Sequence, residues 1–139
     1  MIRPINVGET IEYVLKSDKK DPTIWIIGIL DSLVKTRLAD LGTIYRYNPE
    51  APKDSVAETR MNIAEQDFEF VKFGLKGFKN FKDTKGSEIV LKTEKKTIGN
   101  TEYDIVSEDT LKVIPRAAIT ELAKKIAEEN LFSEDEEKN

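Results

Sequence analysis

Apolar and polar residues alternate along this chain with two different periods, and the switch from one to the other marks its elements. Ile11, Tyr13 and Leu15 alternate with Glu12, Val14 and Lys16, an imperfect period of two that predicts a strand with one face more apolar than the other. A polar turn over 17–22 leads into residues 23–30, TIWIIGIL, which are β-branched and apolar on both faces and predict a strand covered on both sides. Gly28 inside it marks a bulge or a close approach by another element. Asp31 or Ser32 caps a predicted helix whose Leu33, Val34, Leu38 and Leu41 share a stripe, and Gly42 fits the position just past its end. The opening third therefore reads as a hairpin followed by a helix.

Residues 43–55 contain Pro49 and Pro52 with Asn48 and Asp54, show no apolar period, and predict an exposed excursion. Ser55 begins a longer predicted helix with a stripe through Val56, Arg60, Ile63 or Ala64, Phe68, Val71 and Leu75; Gly74 and Gly77 mark where it should fail. Phe70 and Phe73 lie off that stripe, so the helix is expected to touch two partners, one inside the fold and one outside it. After a connector, Asp83-Thr84-Lys85-Gly86 has the residues of a type I turn, and Gly99-Asn100 joins strands predicted over 88–97 and 101–106. Ser107 caps a short helix over 108–114, and Pro115 opens a final helix on which Ile119, Leu122, Ala123 and Ile126 form one buried face. The expected fold is α+β: a single domain over residues 1–132 with two antiparallel β-hairpins packed against three to four helices. Residues 133–139, with four acids and one lysine, are expected to be a disordered acidic tail.

Composition narrows the function classes. At 139 residues, 39% hydrophobic and 35% charged, the chain has material for one core. Histidine and cysteine are both absent, which removes the commonest general base, thiol chemistry and the usual transition-metal ligands. The expectation is a protein that is not an enzyme and takes no cofactor and no metal. The N-terminus lacks the apolar core of a signal peptide, and the longest apolar run, 24–30, is far short of the roughly 20 residues a membrane helix needs, so a soluble intracellular protein is expected.

A net charge of −4 argues against whole-surface attraction to nucleic acid, yet between Lys72 and Lys96 eight lysines face three acids, a local balance of +5. Within that stretch Lys76-Gly77-Phe78 resembles the start of the aromatic RNA-binding strand motif. The match fails at Lys79 and Asn80, and the segment is placed after a helix and not inside a strand, so nucleic acid is not the expected partner. Asp83, Gly86 and Glu88 lack the ligand spacing of a calcium loop. Glu65, Asp67 and Glu69 are splayed around a helix and read as solvent-facing charge, and Trp25 reads as a core aromatic. What remains unlike ordinary packing is the alternation of aromatic, glycine and lysine in 73–86. Phe73, Lys76, Phe78, Lys79, Phe81 and Lys82 are its candidate partner-binding residues.

The run Gly74-Leu75-Lys76-Gly77-Phe78-x-Asn80-x-x-Asp83-x-x-Gly86, followed by a hairpin, by Leu111, by Ile114-Pro115 and by Ile119-Thr120-Glu121-Leu122, resembles small bacteriophage tail-gene proteins, tail assembly chaperones in particular. Where that pattern usually has tryptophan this chain has Phe78, and residues 48–53 have no counterpart in it. The resemblance implies a non-enzymatic morphogenesis protein in the cytoplasm of a bacterial host. Its partners would be the tape-measure or tail-tube protein, with homo-oligomerisation left open. The competing reading is a virion structural protein, a head or head–tail connector component.

Overall fold

The computed structural model describes residues 1–46 and 65–132. The expected excursion beyond residue 46, the start of the long helix at Ser55 and the acidic tail lie outside the described residues. Among the described residues five strands and four α-helices form an α+β fold. In chain order they are β1 (Thr10–Tyr13), β2 (Ile24–Gly28), α1 (Ser32–Arg46), α2 (residues 65–74), β3 (Leu75–Lys79), β4 (Thr93–Ile98), β5 (Thr101–Val106), α3 (Glu108–Val113) and α4 (Arg116–Ala127), closed by a π-helical turn, Glu128–Phe132.

The first hairpin is not alone. β1, β2 and β3 make one antiparallel sheet in that order, and β4 and β5 make a second. The third strand corrects the sequence reading, which gave these residues to a failing helix and a connector. The cause is a bulge: Ile27 faces Leu75 while the next residue, Ile26, faces Gly77, leaving Lys76 as an extra residue. Leu75 and Phe78 therefore both point inward, opposite Ile27 and Trp25, at a spacing of three that imitates a helix. Residue 74 ends α2 and residue 75 begins β3, with no connecting residue between them.

The core lies on one face of the three-stranded sheet. Trp25 and Ile27 are buried there, while Ile24 and Ile26 on the opposite face are half-buried, so β2 is not fully covered on both sides as its composition predicts. Against the covered face pack Val34 and Leu38 of α1, Phe70, Val71 and Phe73 of α2, and Ile119, Leu122, Ala123 and Ile126 of α4, with Ile105 and Val106 from β5. The α4 face is the one its periodicity predicts. On α2 the expected stripe is displaced, because Phe70 and Phe73 are core and Phe68 is only half-buried. On α1, Leu33 points outward at 60% exposure while Val34 and Leu38 point in.

Local signals hold where a hydrogen bond enforces them. Asp31 Oδ1 accepts from the Val34 N–H at 2.9 Å and caps α1, and Ser107 accepts from the Thr110 N–H to cap α3. Asp83 Oδ1 accepts from the N–H groups of Lys85 and Ser87, and the Gly86 N–H closes the turn on the Asp83 carbonyl at 3.0 Å. Gly99, with φ of 60°, holds the first central position of the β4–β5 loop, a II′ arrangement that strand twist favours.

Two seams join α4 to the sheet. Asn130, fully buried in the π-helical turn, accepts from the Leu30 N–H at 2.8 Å and donates to the carbonyls of Gly28 and Ile126. It thus replaces ladder partners that the end of β2 no longer has. At the other seam Glu121 Oε2 accepts from the Tyr13 hydroxyl and from the Lys16 N–H. Burial, reinforced by Glu121, pushes the Tyr13 hydroxyl up to about 12, and the Tyr13 hydrogen bond holds the Glu121 carboxyl below its ordinary value.

Candidate functional site

Helices α2 and α4 run side by side in the same direction, because the end of α2 meets the end of α4 while their beginnings face each other. At the ends they are as close as chains come: a Cβ built on Gly74 would lie 2.5 Å from Ile126 Cγ2. At the beginnings they part, and a cleft of about 910 Å³ opens between α2, α3 and the first residue of α4. Phe68, Leu111, Ile114 and Pro115 give it an apolar lining. Around them stand Arg37 from α1, Glu65, Glu69 and Lys72 from α2, Glu108 and Lys112 from α3, and Arg116.

The geometry follows from local sequence. α3 stops after Val113 because Ile114 is extended and Pro115, unable to donate a backbone hydrogen bond, starts α4 instead of continuing α3. That corner places Arg116 across from α2, where its guanidinium lies 5.1 Å from the Phe68 ring centroid and 3.7 Å from Asp67. Burial raises the Asp67 carboxyl above its ordinary value, and Arg116 offsets part of that rise. Lys72 holds Glu69 at 3.1 Å one turn away. Asp67 and Glu69 are therefore half-buried and engaged, which corrects their reading as solvent-facing charge; Glu65 is exposed as expected.

The residues singled out from sequence do not form one surface. Phe73 is 1% exposed and packs edge-on to Tyr103, so it is a core side chain with nothing to offer a partner. Phe78 and Phe81 are half-buried and fold onto Trp25, with ring centroids 5.7 and 5.1 Å from the indole. Lys76, Lys79 and Lys82 are exposed. The segment Lys76-Gly77-Phe78 does lie within a strand, contrary to expectation, but the strand ends at once. Asn80 takes a φ of 60° and donates its side-chain amide to the carbonyls of Asp21 and Pro22.

The local excess of lysine is answered by carboxylates from elsewhere in the chain. Lys79 pairs with Glu12 at 3.2 Å and Lys95 pairs with Asp104. Desolvation lowers the Lys76 amine, with Asp104 and Asp31 pulling the other way. These pairs interrupt the run of positive charge that a nucleic-acid backbone would follow.

No set of three or more His, Cys, Asp or Glu side chains among the described residues is placed to hold a metal ion, and no helix among them is long and apolar enough to cross a membrane. The cleft combines an apolar lining, in which Leu111 and Ile114 are themselves buried, with a charged rim. Sequence reasoning missed it because its walls come from four helices, and Phe68 was assigned to the buried stripe of its own helix. Comparison with protein families, with curated proteins and with solved structures finds no match to this chain.

Proposed function

We propose that this chain is a non-enzymatic protein-binding component of phage morphogenesis, akin to a tail assembly chaperone, that holds a tape-measure or tail-tube protein in the cytoplasm of a bacterial host. The resemblance of residues 74–86 and 111–122 supplies the class, and the cleft beside Phe68 supplies the place. The observation that carries the reading is the combination in one open cleft of Phe68, Leu111, Ile114 and Pro115 with seven charged side chains around them. Its volume of about 910 Å³ is ample for side chains of a partner.

The test is co-expression with the tape-measure protein of the same genome, followed by size-exclusion chromatography and mass spectrometry of purified particles. A soluble complex with wild-type chain, weakened at least tenfold by Phe68→Ser and accompanied by absence from finished particles, is the expected result. Absence of any complex with the tape-measure or tail-tube protein overturns the reading. Stoichiometric retention in particles moves the chain to the competing class, a virion structural component.

A further inference from the structure

The β4–β5 hairpin carries a strand edge whose backbone is unused. Ser107 donates its N–H to the Lys92 carbonyl, and the Lys92 N–H reaches Thr110 Oγ1, so the backbone of Lys92 faces β5 and α3. Alternation along the strand then turns the N–H and C=O groups of Glu94, Lys96 and Ile98 toward β5 and those of Thr93, Lys95 and Thr97 outward. Among the described residues β4 pairs with β5 alone, and the outward groups have no backbone partner.

A two-fold axis beside this edge allows few registers, because outward-facing residues must oppose one another. The register centred on Lys95 overlaps the whole of β4, with Thr93 opposite Thr97 of the second copy, Glu94 opposite Lys96, and Lys95 opposite Lys95. Both contacts between Glu94 and Lys96 fall at non-hydrogen-bonded pairs, where opposed side chains come closest. Among the described residues neither Glu94 nor Lys96 has an ion-pair partner in its own chain. The two central lysines repel, but each is already held by Asp104 of its own hairpin. Lysine on a sheet edge ordinarily keeps strands apart. Here centring on Glu94 or on Lys96 sets like charges face to face, so the charges select the register between them.

We infer that this chain dimerises by pairing β4 with β4 of a second copy, antiparallel and centred on Lys95, joining two hairpins into one sheet of four strands. The cleft beside Phe68 takes no part in this contact. One strand edge is a small interface, so the dimer is weak, with a Kd of about 10–100 µM.

Sedimentation velocity of the full chain from about 5 to 500 µM should show a reversible monomer–dimer equilibrium. Glu94→Lys opposes lysine to lysine at both contacts, and Lys96→Glu opposes glutamate to glutamate. Each should weaken dimerisation about tenfold or more and leave thermal unfolding in place. Mixed in equal amounts, the two variants regain opposite charges at both contacts and should associate within about threefold of wild type. Thr97→Pro, which deletes an outward N–H and spares the β4–β5 ladder, should abolish the dimer; if that variant unfolds, the charge exchange alone decides. A chain that stays monomeric throughout overturns the inference, even where a strand of another protein is found on the edge. A dimer indifferent to the single charge changes, one that a folded Thr97→Pro retains, or one that the mixture does not recover overturns it equally.

Discussion

The two ends of the α2–α4 contact are made of the same pair of helices and behave oppositely. At one end Gly74 lets Ile126 sit where a side chain would otherwise be, and the helices close; at the other Phe68 and Arg116 stand between them, and a cleft remains. The contrast teaches that closure here is a matter of side-chain size at a few positions. Stability and binding are accordingly expected to separate along the six residues of one helix that lead from Phe68 to Gly74.

The comparison breaks most visibly at the phenylalanines. Phe73→Ala, at the closed end, should cost about 3–5 kcal/mol by losing buried area and leaving a cavity, whereas Phe68→Ala, at the open end, should cost about 1 kcal/mol or less. Denaturant titrations that gave the two equal costs would erase the distinction. Next comes Asn130→Leu, which orphans the Leu30 N–H and the Gly28 carbonyl in a dry site and should cost about 2–4 kcal/mol. A variant as stable as wild type would mean that the π-helical turn holds the sheet by packing alone.

Gly74→Ala should cost about 1–3 kcal/mol through overpacking against Ile126. In an Ile126→Ala background the same change should cost nothing, and a double-mutant cycle without coupling would show that the clash is not with Ile126. The smallest effect is a pH dependence at the Tyr13–Glu121 seam. Glu121 has a folded pKa below its ordinary 4.5, so its stabilisation is whole above about pH 4.5 and fades as pH falls through the lowered value. Tyr13 has its pKa raised from 10.0 to about 12, so its contribution is whole below pH 10 and is lost as pH rises toward 12. Unfolding midpoints of Tyr13→Phe should be flatter than wild type on both sides; an unchanged acid limb would show that Lys16 and Lys124 stabilise Glu121 without Tyr13.

Much of the fold was legible because its signals were local. The caps at Asp31 and Ser107, the Asp83–Gly86 turn, the Gly99 loop and the apolar face of α4 each depend on residues within a few positions of one another, and each stands where the pattern puts it. β3 was not legible, since a bulge gave Leu75 and Phe78 a helical spacing and the two glycines read as breakers. Phe73 looked exceptional by falling off a stripe drawn through residues 56–75, but it is buried in a core shared by several elements and meets Tyr103, thirty positions away. Asn130 drew no expectation at all, because nothing near it in sequence reveals the open backbone of β2. The cleft was illegible for the same reason: it belongs to no single element.

The bulge at Lys76 also bears on how the chain tolerates changes in length. Removing Lys76 would bring Leu75 and Phe78 to the ordinary two-residue spacing of a strand with both still facing the core, so the residue is a spare link and its deletion leaves the inward pattern in phase. Its presence, however, places its stem 2.8 Å from where a Cβ on residue 28 would be, so a larger residue there requires the Lys76 side chain to shift. An extra residue in one strand thus crowds the smallest residue in its neighbour, and a chain lacking the first relieves the second.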